Sequence, residues 1–122
     1  MNQFQASVRQ EGEMAVIDLS GTIDGGAEAR LALAHDVCDE QNARAVALDF
    51  TAVDYINSTG IALLVSLLAR ARRDGRPVLA WGLTDHYREI FEITRLADFL
   101  EVFADEQSAR AASDLGRTTG EG

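Results

Sequence analysis

The sequence contains no lysine: all 11 of its basic residues are arginine. That absence removes Schiff-base enzymes, Walker-type phosphate loops and response-regulator receiver sites, each of which depends on a lysine amine. Cysteine is almost absent. Cys38 alone cannot form an internal disulfide, which suits a reducing compartment, and a cytoplasmic location is expected. Long apolar runs are missing as well. The longest, Ile61 to Leu68, is interrupted by Ser66 and leads into Arg70, Arg72 and Arg73, well short of the roughly 20 residues that span a bilayer. Residues 1–15 lack a basic segment followed by an apolar one, so neither a secretory signal nor a membrane association is expected. Positive charge is scarce: 20 acidic residues against 11 basic ones give a net charge of −9. Nucleic acid is thereby an unfavourable partner, because phosphate contacts need a basic face.

What is present fits one small domain. The 122 residues include 47 % hydrophobic ones, enough for a packed core but too few residues for two domains. Phe4, Ala6 and Val8 alternate with polar residues, and Met14 to Leu19 follows after a short polar turn, so an antiparallel hairpin is expected. The segment from Ser20 to Gly26 breaks the strand pattern. Ala27, Leu31, Ala34 and Cys38 then recur at helical spacing. Residues 45–50 read as a strand covered on both faces, 59–73 as a helix with Ile61, Leu64, Val65 and Leu68 on one side, and 78–82 as a second strand. This βαβ unit predicts parallel neighbouring strands. Thr84 or Asp85 can cap a third helix carrying Tyr87, Ile90 and Phe91, and Asp105 a fourth. A mixed sheet of four or five strands packed by about four helices is expected over residues 1–114, with 115–122 a disordered tail.

Tyr55-Ile56-Asn57-Ser58-Thr59-Gly60-Ile61 lies where a strand-following loop enters a helix, the edge of an α/β sheet where functional groups gather. Ser58 is placed to be an N-cap. It is also placed to be a phosphoacceptor, since a phosphoryl group there would meet free helix N–H groups. Gly60 leaves room for another backbone.

This segment resembles the D-S-[ST]-G-[LI] signature of STAS domains, whose first serine is phosphorylated by a partner kinase. Gly21-Thr22-Ile23-Asp24 is similar to the family's G-E-[LI]-D, Ile90 to Leu96 to its [LF]-x-[LI]-T-G-L, and Asp105-Glu106 with Ala109 to its closing helix. The resemblance covers residues 4–112. It departs at Asn57, which replaces an aspartate, at Thr22, which replaces a glutamate, and at Arg95, which replaces a glycine. The resemblance implies the STAS α/β fold and an anti-sigma factor antagonist. Such a domain, unphosphorylated, binds an anti-sigma factor that is also a serine kinase and so frees a sigma factor; phosphorylation, here at Ser58, reverses this, and a serine phosphatase resets it. The implied partner surface comprises Asp24, Asn57, Ser58, Thr59 and Gly60. No cofactor is implied for this chain, since the ATP and the metal belong to the partners.

Each residue also has a plainer reading: Ser58 as a cap only, Asp24 as ordinary turn chemistry before Gly25-Gly26. His35 and His86 are expected at the surface, Cys38 packed, Trp81, Tyr87 and Phe91 in the core, and Arg70, Arg72, Arg73 and Arg76 as a solvated helix end. No cluster of metal donors is expected from the spacing. An unphosphorylated STAS accessory or scaffold subunit of a transporter or signalling complex is the alternative function. No nucleophile–base pair or phosphate cradle supports an enzyme.

Overall fold

A computed structural model describes residues 3–121, with side chains through residue 113. Its strands are β1 (Gln5–Glu11), β2 (Met14–Ile23), β3 (Ala45–Ile56), β4 (Val78–Trp81) and β5 (Glu101–Phe103). Its helices are α1 (Glu28–Glu40), α2 (Ser58–Arg73), α3 (Asp85–Ile93) and α4 (Glu106–Glu121). The domain end expected at 114 and the tail expected over 115–122 lie beyond the described side chains.

One five-stranded sheet runs in the order β1-β2-β3-β4-β5. The hairpin β1–β2 is antiparallel; every other pair is parallel. The strand–helix–strand expectation for 45–82 therefore holds, with Val46 opposite Val78 and Asp49 opposite Trp81. Alternation along the strands divides the core. Ala15, Ile17, Leu19, Val46, Leu48, Phe50 and Ala80 face α1, α2 and α3, while Met14, Val16, Ala47, Leu79 and Trp81 face Ala109 of α4. Cys38, Trp81, Tyr87 and Phe91 are buried as expected, and burial pushes the Cys38 thiol up to about 11. Thr84 caps α3 and Asp105 accepts from the Ser108 N–H at 2.8 Å.

Three expectations change. Strand β3 does not stop at residue 50 but pairs with β2 as far as Ile23 opposite Ile56, past two register shifts that absorb the irregular segment around Gly21. His35 is not on the surface: it is 1 % exposed, because Leu31, Ala34, His35 and Cys38 share the inner face of α1. The arginine group is not simply solvated. Arg70 donates to Asp36 and Asp39 at 2.6 Å each, and Arg76 pairs with Asp39 and donates to the Ala43 carbonyl at 2.7 Å. Only Arg72 and Arg73 of the four are exposed.

Charge organises the α4 face. Asp18 and Asp49 lie side by side across β2 and β3. Arg9 reaches Asp18 at 2.8 Å, Glu11 at 3.0 Å, Glu106 at 2.8 Å and Asp49 at 3.9 Å. Hydrogen bonds from Arg9 and Arg110 outweigh desolvation and hold the Glu106 carboxyl down at about 2.

Candidate functional site

The carboxyl ends of β2 and β3 deliver two loops to one place. Asp24 leaves β2 in an extended conformation, and its Oδ1 accepts from the Gly26 N–H at 2.9 Å, capping a single 3-10 turn over Gly25–Ala27 that leads into α1. Asn57 leaves β3 with φ −92° and ψ −179°, and its N–H donates to the Ile23 carbonyl at 3.2 Å. The two chain segments are thus tied directly before both helices begin.

Gly60 is required by that tie. A Cβ there would lie 2.0 Å from the Ile23 carbonyl oxygen, so any side chain would push α2 off the end of β2. The loops also lie close together: a Cβ added at Gly25 would meet the Thr59 methyl at 3.6 Å, ordinary contact distance. Asp24, Asn57, Ser58 and Thr59, predicted from separate parts of the sequence, therefore converge on one surface, whereas Gly60, expected there too, is buried beneath it against the end of β2. From below, the buried Tyr87 hydroxyl of α3 accepts from the Ile56 N–H at 2.9 Å and fixes the last residue of β3. Only the apolar spacing of Tyr87 was visible in the sequence. Tyr55 stands beside the site, 54 % exposed.

The cap is not Ser58. Asn57 is the N-cap, and its Oδ1 accepts from the Gly60 N–H at 2.8 Å. Ser58 is the first helical residue, exposed, and its hydroxyl has no hydrogen-bond partner among the described residues. The reason is where β3 ends: its extended geometry reaches Ile56, which makes Asn57 the transition residue. This accounts for Asn57 in place of aspartate, because an amide oxygen caps as a carboxylate oxygen does. The Ser58 hydroxyl stands free above a helix start whose first main-chain bond is Ile61 N–H to the Asn57 carbonyl. The N–H groups of Ser58 and Thr59 therefore remain open to an incoming anion.

Other substituted positions are accommodated. Thr22 is buried in β2, and Arg95 adopts a left-handed backbone, φ 66°, at a cost of about 1–2 kcal/mol. Contrary to the expectation from spacing, His35, Asp39 and Asp74 bring potential metal ligands together, within 4.8 Å. Asp39 is already engaged by two guanidinium groups. Burial works against its charge, but Arg76 and Arg70 outweigh it and hold the carboxyl below its usual range. Among the described residues no helix is long and apolar enough to cross a membrane.

Comparison with known proteins agrees with this geometry. The chain is 29 % identical over 86 residues to an anti-sigma-B factor antagonist of Listeria monocytogenes, covering 70 % of this chain and 75 % of that protein. Its fold is similar to that of the anti-sigma factor antagonist SpoIIAA in its unphosphorylated form, with 16 % identity, a TM-score of 0.68, and 93 % and 99 % of the two chains covered. It is similar also to a sulfate transporter family protein from Wolinella succinogenes, with 21 % identity, a TM-score of 0.76, and 86 % and 88 % covered. The STAS domain profile matches residues 5–109, nearly the whole length, and the chain belongs to the STAS domain family.

Proposed function

We propose that this protein is a partner-switching regulator of the anti-sigma-factor-antagonist type, acting in the cytoplasm, with residues 1–114 as the folded regulatory unit. Unphosphorylated, it binds an anti-sigma factor that is also a serine kinase, and so releases a sigma factor. Phosphorylation of Ser58 ends that complex, and a serine phosphatase restores the binding form. The observation that carries this reading is the division of labour at the start of α2. Asn57 takes the cap, which leaves the Ser58 hydroxyl exposed and unengaged.

The chemistry follows from position. A phosphoryl group on Ser58 would find the open N–H groups of the first turn and the positive end of the helix dipole, so the helix tolerates it. The same group adds roughly two negative charges to a surface the partner must desolvate. Asp24 and Thr59, on the adjoining loop and turn, fall within the same footprint. The chain itself supplies no ATP chemistry in this reading; it is the passive substrate.

The test combines the purified protein with its cognate anti-sigma factor and ATP, followed by mass mapping. Phosphate on Ser58 supports the reading, and a complex that forms but never modifies Ser58 contradicts it. Radiolabelled ATP with the purified protein alone should leave no label. A permanent accessory subunit of a transporter or signalling complex is the competing function, favoured by the likeness to the Wolinella protein. It calls for a complex insensitive to changes at Ser58.

A further inference from the structure

Strand β3 outruns one of its neighbours. β4 pairs with it only from Val46 to Asp49, whereas β2 accompanies it to Ile56. The chain leaves β4 at Gly82, where φ is 82° and a Cβ would lie 2.6 Å from the Thr51 nitrogen. Beyond Asp49 no strand among the described residues pairs with that edge of β3. Main-chain groups there need other partners, since a buried donor left unpaired is costly. Ile56 is 5 % exposed, and its N–H is met by a side chain, the Tyr87 hydroxyl of α3, at 2.9 Å.

Tyr87 is itself well held. Its main-chain N–H donates to the Thr84 cap at 3.3 Å. One turn later Phe91, fully buried, packs edge-on against Phe50 of β3, with ring centroids 5.7 Å apart. Helix α3 is thus docked on the same strand whose end it steadies. The next N–H along the chain, that of Asn57, donates instead to the Ile23 carbonyl at 3.2 Å. Two consecutive peptide groups are therefore tied to two different elements, α3 and β2, directly before Ser58.

We propose that Tyr87 is a positioning residue for Ser58: by holding Ile56, it sets where the Ser58 hydroxyl stands when a partner kinase docks. The inference rests on the proposed phosphorylation of Ser58. The Ser58 hydroxyl has no hydrogen-bond partner among the described residues, so its place is inherited from the backbone before it. In the transfer, the Ser58 oxygen bonds to the terminal phosphorus of the partner's ATP. The bond to the bridging oxygen breaks, ADP leaves, and the hydroxyl proton passes to a base of the partner. An in-line transfer is sensitive to small displacements of the attacking oxygen. Docking is spread over Asp24, Asn57 and Thr59 as well. Loss of the Tyr87 anchor should therefore slow the transfer more than it weakens binding.

Tyr87→Phe removes one oxygen and leaves the ring in the core. Wild type, Tyr87→Phe and Ile17→Val, a buried change in the middle of β2, are compared by melting temperature, backbone amide NMR and steady-state phosphorylation by the cognate anti-sigma factor. The expected result for Tyr87→Phe is a kcat at Ser58 lowered at least about tenfold with KM within about twofold, and shifted amide signals for Ile56, Asn57 and Ser58. Ile17→Val should melt lower yet keep the wild-type kcat and those signals. A Tyr87→Phe kcat within about twofold of wild type overturns the positioning role and leaves the Ser58 switch standing. Equal falls in kcat for the two variants overturn it too, because the loss then follows stability alone. A wild type that gains no phosphate on Ser58 from that partner removes the partner-switching reading and the positioning role with it.

Discussion

Asn57 caps α2 and leaves the Ser58 hydroxyl unengaged, and the stability effects of the two residues should divide accordingly. Asn57→Ala removes the oxygen that accepts from Gly60 and is expected to cost about 0.5–2 kcal/mol. Ser58→Ala removes a solvated hydroxyl and is expected to stay within about 0.5 kcal/mol of wild type. Urea unfolding of both decides the assignment; a larger loss for Ser58→Ala would return the cap to the serine. Asparagine and serine are equally good caps, so residue type alone does not choose between them. What chooses is the last extended residue of β3, and its pairing partner Ile23 lies 33 positions away, outside any local pattern. Gly60 was legible as a place of close approach, but which backbone approaches was not. Gly60→Ala puts a Cβ against the Ile23 carbonyl and should cost about 1–3 kcal/mol, as overpacking does. A melting temperature equal to wild type would contradict that close approach.

Helix α1 shows how an element can be right and its face incomplete. Its apolar positions were read at Ala27, Leu31, Ala34 and Cys38, yet His35 lies on the same inner face, because i+4 from Leu31 is as inward as i+3. The consequence is acid sensitivity. The folded pKa of His35 is depressed below the unfolded value of about 6.5, so the unfolded chain takes up a proton first and stability falls as pH drops below that value. His35→Phe should flatten this slope in unfolding measurements from neutral to mildly acidic pH; an unchanged slope would mean the ring is not held neutral. A second acid effect belongs to α4. Glu106 titrates near 2 when folded, against a reference of 4.5. Its contribution is therefore complete above about 4.5 and is lost as pH falls toward 2. Glu106→Gln should cost about 1–2 kcal/mol at pH 7, partly screened by solvent, and should lose that difference in acid. A Glu106→Gln deficit that stays constant down to pH about 2 would mean that Arg9 does not clasp α4. Arg9 and Glu106 are 97 positions apart, and no periodicity signals such a pairing.

For the whole molecule, the order of elements was legible because alternation and helical spacing switch sharply at the turns. The parallel pairing of β3 with β4 followed from their connection. The short strand β5 carried too few residues to show a pattern, and the convergence of the Asp24 and Asn57 loops required the β2–β3 register. Family resemblance suggested the role proposed for Ser58; the structure supplies its surroundings, a free hydroxyl above open N–H groups at the start of a helix that is already capped. A negative side chain at Ser58 should thus leave the fold intact, since it meets positive helix N–H groups, while an interface that received a neutral hydroxyl would have to desolvate it at a cost of several kcal/mol. The most direct measurement is calorimetric titration of Ser58→Ala and Ser58→Asp, both shown to be folded, with the cognate anti-sigma factor. The alanine protein should bind like the unphosphorylated wild type, and the aspartate protein about a hundredfold more weakly or worse. Equal affinities would contradict a switch at Ser58 and leave the protein a constitutive scaffold.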